Sequence, residues 1–183
     1  MKHIDYLMGL RVCDPGLRYI ARYQSPREAL ERCHRPNWLL WLLEKAGVRD
    51  ARRYRLYACW CVRNTPLGDG RTVWDLLTDE RSRAAVIMAE RYADGHVSRA
   101  QLSSAAAAAA AAAIVATSFA AAHSACDTNA HSAIDAAYDA SYDAIYSAIP
   151  NVSAARRAQA NELREMFAAA FDMIEAKAEG KEW

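Results

Sequence analysis

Six residues with metal-ligating or acidic side chains recur every four positions in the second half of the chain. They are His123, Asp127, His131, Asp135, Asp139 and Asp143. On an α-helix each four-residue step turns the side chain by about 40° around the axis, so neighbours in such a row stay within reach of one another. Imidazole nitrogens and carboxylate oxygens bind Zn²⁺ and similar ions, and the first three residues of the row have the right types.

The same row has a simpler interpretation. No H-E-x-x-H motif accompanies the two histidines, and such a motif is typical of zinc proteases. The segment Asp127-Thr128-Asn129 consists of weak helix formers and predicts a helix break among the proposed ligands. A polar stripe that keeps an alanine-rich helix in solution explains the row without any ion. A metal-dependent enzyme at His123 and His131 is therefore the minor alternative, and we expect no cofactor.

Three tyrosines, Tyr138, Tyr142 and Tyr146, form a parallel row with the same spacing. They are interpreted in two ways. Their rings can pack inside a helical bundle while the hydroxyls reach the surface. Alternatively, they form an aromatic stripe flanked by Asp139 and Asp143, which suits a basic partner protein. The candidate partner-binding residues are Asp135, Tyr138, Asp139, Tyr142, Asp143 and Tyr146.

A group of arginines lies between residues 49 and 71, and arginine contacts phosphate groups well. Its members are Arg49, Arg52, Arg53, Arg55, Arg63 and Arg71. A nucleic-acid-associated module would use this region, with Arg49, Arg52, Arg53 and Arg55 as the contacts. However, Asp50 and Asp69 are interspersed among them and no known binding motif is present. A solvated or ion-paired face is the favoured interpretation.

Other sites for chemistry are weaker still. The five cysteines (Cys13, Cys33, Cys59, Cys61 and Cys126) are irregularly spaced, which predicts reduced and mostly buried thiols. A C-x-C pair on a helix directs its two side chains about 200° apart, so Cys59 and Cys61 are poorly placed for one ion. Neither a phosphate-binding glycine pattern nor a nucleophile elbow is present. We predict no catalytic residue and no enzymatic activity.

The elements that position these residues are predicted to be helices throughout. Helix starts are indicated at Ser25, Asp50 and Ser98, and helix ends at Gly47 and at Asp94-Gly95. The first half, residues 1–97, is expected to hold short helices. One last helix is expected from Ser153 to about Ala178.

Between Ser98 and Ile149 the chain is dominated by alanine, with nine consecutive alanines from Ala105 to Ala113. Alanine is the best helix former, and its small side chain lets helices approach closely. A single straight helix over residues 99–149 would span about 75 Å, whereas a compact domain of this length is about 40 Å across. The sequence therefore predicts an all-α fold in one domain over residues 1–183, with short helices packed on an alanine-rich bundle of residues 98–183.

Charge is distributed unevenly along the chain. Residues 1–100 carry 18 basic and 12 acidic side chains, whereas residues 101–155 carry four aspartates and no lysine or arginine. Such a split can hold the two halves together or present differently charged faces to partners. No stretch resembles a membrane span, and Met1–Tyr6 does not read as the start of a signal peptide. We expect a cytosolic location.

Four blocks carry a resemblance to a known family. They are R-L-Y-A-C-W-C from Arg55, V-W-D-L-L-T-D-E-R-S-R-A-A-V from Val73, A-E-R-Y-A-D-G from Ala89 and W-L-L-W-L-L from Trp38. With the S-x-x-Q-L of Ser98–Leu102, they resemble alanine-rich helical proteins of phages and some bacteria, notably planctomycetes. Members of that family carry labels such as hypothetical or immunity protein.

The resemblance covers roughly residues 33–149 and departs from the family pattern in two places. Cys61 is followed by Val62 where relatives often have adjacent cysteines, and residues 65–72 are inserted before Trp74. It implies no catalytic residue. The label implies a non-enzymatic factor of the immunity or inhibitor type, which binds a toxin or a host defence complex. A homodimer through an alanine-faced helix is a further possibility that the pattern leaves open.

Overall fold

The computed structural model describes residues 2–112 and 133–181, and these residues form an all-α fold. Eleven helices are present over the two described ranges. An antiparallel bridge between Pro66 and Thr72 is the extent of β-type pairing in the described part of the chain. The predicted fold class, short helices packed with an alanine-rich helical bundle, is confirmed.

The first half of the described chain contains seven short helices, and two of them begin directly after the predicted caps Ser25 and Asp50. Their bounds are α1 Lys2–Gly9, α2 Asp14–Ile20, α3 Pro26–Glu31, α4 Pro36–Lys45, α5 Ala51–Asn64, α6 Val73–Leu76 and α7 Glu80–Ala93.

The second half contains four described helices. Their bounds are α8 Arg99–Ala112, α9 Ala133–Ser147, α10 Val152–Met166 and α11 Ala168–Ala178. The expectation of one last helix from Ser153 to Ala178 is wrong, because Phe167 adopts φ −114° and ψ 25° and divides it. The Phe167 side chain is fully buried, and its ring lies 4.8 Å from that of Tyr54. The expected break at Asp127–Asn129 lies outside the described residues.

Predicted N-caps are confirmed at three helices. The Ser25 hydroxyl accepts a hydrogen bond from the Glu28 amide at 3.1 Å, and Asp50 caps α5 in the same way. At α8 the Ser98 hydroxyl accepts from the Gln101 amide, while the Gln101 side chain accepts from the Ser98 amide at 2.8 Å. These contacts satisfy backbone donors that have no partner within the helix.

Four helices end in the same backbone arrangement. At α1, α4, α7 and α11, one amide bonds back three residues and the next bonds back five, around a residue in the left-handed region. Three of these residues are glycines: Gly47, Gly95 and Gly180. The fourth is Arg11, with φ 59°. A side chain in this conformation costs about 1 kcal/mol, so α1 ends in mild strain where the other three do not.

Helix α5 lies at the centre of the fold, and its largest contact is with α9. The face of α9 that meets the interior consists almost entirely of small side chains: Ala136, Ala137, Ala140, Ser141 and Ala144. On α5, the buried residues include Tyr57, Ala58 and Cys61. Small side chains on one helix let the bulkier side chains of its neighbour lie close to the backbone. The predicted role of the alanine-rich segment in close packing is thus visible in α9.

One hydrophobic cluster draws on helices from both halves of the chain. Besides the α5–α9 contact, α8 packs on α7, α10 packs on α4, and α11 packs on α1. The alanine-rich helices therefore pack directly on the short helices. Over the described ranges, none of the helices has the length and apolar character required to cross a membrane.

A buried group of polar side chains joins α5, α9 and α10. The Gln159 amide nitrogen donates to the Thr65 hydroxyl at 2.8 Å, and the Ser141 hydroxyl donates to the Gln159 side-chain oxygen at 2.6 Å. The Tyr57 hydroxyl donates to the backbone carbonyl of Gln159 at 3.4 Å. Gln159 and Thr65 are completely buried. Because each of these bonds forms in one register only, they fix how the three helices sit on one another.

Enlarging a buried alanine of α9 tests the close packing. Ala140→Leu adds three carbon atoms at a position of α9 that is completely buried. We expect it to lower the free energy of unfolding by about 1–3 kcal/mol. Urea denaturation followed by circular dichroism measures the change. Ala107→Leu, at an exposed position of α8, is the matched control and should change stability by less than about 0.5 kcal/mol. Equal effects at both positions would contradict the packing described here.

Removing the central amide tests the polar group. Gln159→Leu leaves the hydroxyls of Thr65 and Ser141 without their partner, and we expect a loss of about 2 kcal/mol in the free energy of unfolding. Glu165→Leu on the same helix, at an exposed position, provides the comparison. A Gln159→Leu protein that is as stable as wild type would show that these hydrogen bonds make no net contribution to the free energy of unfolding.

Candidate functional site

The outer face of α9 and the residues after it carry an exposed apolar patch, which we call the tyrosine surface: Tyr142, Tyr146 and Ile149. Their exposed fractions are 59%, 48% and 64%. The rings of Tyr142 and Tyr146 are 4.4 Å apart between centroids and tilted by 43°. Five large apolar side chains are strongly exposed in the described part of the chain, and three of the five lie in this short segment.

The tyrosine row turns from the interior to the surface as it runs along α9. Tyr138 is half-buried, whereas Tyr142 and Tyr146 are exposed. The slow rotation of a four-residue repeat on a 3.6-residue helix accounts for this difference. The packing interpretation therefore describes Tyr138 alone, and the interpretation as a partner-binding stripe remains a prediction. Tyr138 packs against the core and the other two form an outer stripe.

Ionisation of the tyrosines reflects these positions. Burial raises the pKa of Tyr138 above its usual value, and the neighbouring carboxylate of Glu44 adds to the effect. For Tyr142, a hydrogen bond with Tyr146 is the main cause that raises its pKa, and the charge of Asp143 contributes less. A raised pKa keeps the Tyr138 and Tyr142 hydroxyls protonated around neutral pH, so each can donate and accept hydrogen bonds.

The aspartates of the row lie on either side of the tyrosines. Asp139 is exposed, and Asp135 and Asp143 are half-buried. All three take part in interactions within the protein, and the backbone carbonyl of Asp143 accepts a hydrogen bond from Ser147 at 2.9 Å. The structure therefore brings five of the six predicted partner-binding residues to one face or its border, and places Tyr138 inward.

A cleft of about 640 Å³ borders the tyrosine surface beside Ile149. One wall is the end of α9, with Ser147, and the other is the loop after α5, with Asp69 and Arg71. Gly68 in this loop has φ 96°, and a Cβ there would come within 2.9 Å of the Asn151 side chain. A glycine is needed for the loop to lie this close to the residues after α9.

The predicted arginine contacts mostly bind partners within the protein. Arg52 pairs with Asp94 at 2.7 Å, and Arg53 pairs with Asp50 at 3.4 Å. The guanidinium of Arg49 donates to backbone carbonyls at the end of α4. Each of these three side chains is exposed, so each can still reach solvent.

Arg55 and Arg63 are more deeply engaged, whereas Arg71 is exposed and pairs with Asp69 at 2.7 Å. Arg55 is buried, with its guanidinium 5.4 Å from the ring centroid of Tyr92. Arg63 binds both carboxylate oxygens of Glu90, one at 2.8 Å, and lies over the ring of Trp74. The favoured interpretation of this region as an ion-paired face agrees with these contacts.

The metal-ligand row cannot be followed on the structure. His123, Asp127 and His131 lie outside the described residues. Within residues 2–112 and 133–181, no group of three or more histidine, cysteine, aspartate or glutamate side chains is arranged to hold an ion. Cys33, Cys59 and Cys61 form no disulfide bond and are buried, as predicted, whereas Cys13 forms no disulfide bond and is exposed. Burial raises the pKa of the Cys33 and Cys61 thiols above their usual value, so they are poor nucleophiles.

Sequence reasoning missed two features of the surface. It left out Ile149, the most exposed large apolar side chain among the described residues, because its spacing of four from the buried Ile145 does not distinguish an exposed position from a buried one. It also missed an apolar cavity of about 580 Å³ among α1, α2, α3, α4, α9 and α11. The cavity lies between helices that are distant from one another in the chain, and no local sequence pattern predicts such a cavity.

Comparison of the chain with protein-family models, curated proteins and solved structures finds no match. The resemblance noted in the sequence therefore remains a prediction.

Proposed function

We propose that this protein is a non-enzymatic binding factor of the immunity or inhibitor type, acting on a toxin or a host defence component through the tyrosine surface. The observation that carries the proposal is the concentration of exposed apolar side chains between Tyr142 and Ile149. An exposed apolar patch rimmed by polar groups is typical of protein–protein interaction sites.

The residue types suit this role. Tyrosine is enriched among the residues that dominate binding energy at interfaces, because it offers a large area with few rotatable bonds. Contact between the Tyr142 and Tyr146 rings restricts both side chains before binding. Less conformational entropy is then lost when a partner covers them.

Charge indicates the chemistry of the partner. Asp139 and Asp143 border the rings, and no lysine or arginine occurs between Arg99 and Arg156. A partner with a basic surface would be attracted at long range and held in register by these carboxylates. The absence of enzymatic activity is part of the proposal. It is supported by the buried polar side chains around Gln159, which bind one another rather than line a cavity.

A cytosolic location belongs to the same proposal. Three buried thiols, Cys33, Cys59 and Cys61, are unoxidised, and reduced cysteines of this kind are typical of proteins in a reducing compartment.

Removing the two exposed rings tests the proposal. We expect Tyr142→Ser combined with Tyr146→Ser to weaken partner binding at least about 100-fold, since two central aromatic contacts are lost. Folding should be unaffected within about 0.5 kcal/mol, because both side chains are exposed. The measurement is quantitative affinity capture from source cells, followed by calorimetric titration of the purified stoichiometric partner.

The matched control is Met8→Ser combined with Ile87→Ser, which removes exposed apolar side chains elsewhere. This control should retain the partner. Capture of the same partner by the Tyr142/Tyr146 variant would contradict the proposal, as would the absence of any stoichiometric partner. A wild-type dimer in solution that the Tyr142/Tyr146 variant dissolves would show that the surface binds a second copy instead.

Nucleic-acid binding is the alternative, and it is tested separately. We expect DNA and RNA to show no steeply salt-dependent binding, because Arg52 and Arg53 are paired and Arg55 is buried. Filter binding or anisotropy at about 50 and 200 mM salt measures this dependence. Strong low-salt binding that is lost in the variant Arg52→Glu with Arg53→Glu would favour the alternative over the proposal.

A further inference from the structure

The cavity among the first four helices, α9 and α11 has the size and lining of a small-molecule site. Its volume is about 580 Å³, within the range of roughly 300–1,000 Å³ that such sites occupy. Apolar and aromatic side chains form most of its wall, including Leu7, Tyr19, Trp38, Trp41 and Ile174. An apolar ligand of moderate size would exchange water contacts for contacts with these groups.

Arg11 lines the same cavity and is held there in an unusual backbone conformation. Of the four helix ends that share the arrangement described above, only the α1 end has a side chain on its left-handed residue. Glycine is the residue that fits this position without strain. Backbone strain is present at the end of α1 and absent from the three equivalent helix ends. This difference indicates that the Arg11 side chain has a function.

Among the described residues, the surroundings of Arg11 leave its charge available. The side chain is exposed, and its guanidinium makes no hydrogen bond or ion pair with any residue that the structure describes. Glu44 is the acidic residue of the cavity wall, and it contacts Lys45 at 3.7 Å. A planar guanidinium beside an apolar cavity is well suited to bind a carboxylate through two parallel hydrogen bonds.

We propose that this cavity binds a small amphipathic acid, with its apolar body among the aromatic side chains and its carboxylate on Arg11. The site is separate from the tyrosine surface. The cavity proposal and the proposed function can therefore each be wrong while the other holds. Binding is non-covalent, and no chemical step is involved.

Three ligands with the same ten-carbon chain and different head groups test the charge preference. Decanoate, 1-decanol and decyltrimethylammonium are titrated into the full-length protein by calorimetry below their aggregation concentrations. We expect decanoate to bind at least about tenfold more tightly than 1-decanol, and the ammonium compound to bind most weakly. Equal affinities for decanoate and 1-decanol, or tightest binding of the ammonium compound, would overturn the proposal.

Arg11→Gly is the decisive variant, because it removes the charge and relieves the backbone at the same time. We expect its thermal stability to be unchanged or higher, and its affinity for decanoate to fall to that for 1-decanol. Arg11→Lys should keep part of the preference. Arg22→Gly, which removes an exposed arginine in the turn after α2, is the matched control and should bind decanoate as wild type does. Retention of the preference in Arg11→Gly would overturn the assignment.

A second variant locates the ligand body. Ile20 is half-buried and lines the cavity, so Ile20→Trp should fill part of it and weaken binding of decanoate and 1-decanol alike. Undiminished binding in a folded Ile20→Trp protein would place the ligand elsewhere and overturn the proposal. If Ile20→Trp does not fold, the comparison of Arg11→Gly with Arg22→Gly decides the question.

Discussion

The contact of α9 with α5 is the constraint on which the rest of the structure depends. Its face of alanines and Ser141 brings the helix close to α5, and the amide of Gln159 then connects α9, α10 and Thr65 at the end of α5. Close packing alone would allow α9 to shift along its axis relative to α5, because its alanine face has nearly the same shape at each helical turn. The buried hydrogen bonds remove that freedom.

A fixed register has a direct effect on the outer face of α9. Because Ala140 and Ala144 face inward, the four-residue repeat turns Tyr142 and Tyr146 outward and leaves Tyr138 half-buried. Ile149 follows in the residues after the helix and lies beside the loop that contains Gly68. One small-residue face thus determines which side chains a partner would meet.

Local signals in the sequence were sufficient for the class of fold and for several helix starts and ends. Ser25, Asp50 and Ser98 cap helices as expected, since a cap depends only on the next few residues. The helix division at Phe167 was missed because its cause is distant: the ring is buried against Tyr54, more than a hundred positions away in the chain. The buried role of Gln159 and the cavity beside Arg11 depend on tertiary contacts in the same way. The tyrosine stripe was foreseeable because its periodicity is local.

The division of the last helix at Phe167 also gives the molecule two groups of helices. We expect these groups to differ in their free energy of local unfolding. α10 packs on α4 and α5, whereas α11 turns away to meet α1 and α3, and α2 contacts α1 and α3 in turn. Helices α1, α2, α3 and α11 therefore form an outer shell whose members mainly support one another. Shells of this kind can unfold locally while the centre stays intact. Amide protons in the shell would then exchange with solvent sooner than those of α5 and α9, and the apolar cavity would have a natural route for filling and emptying.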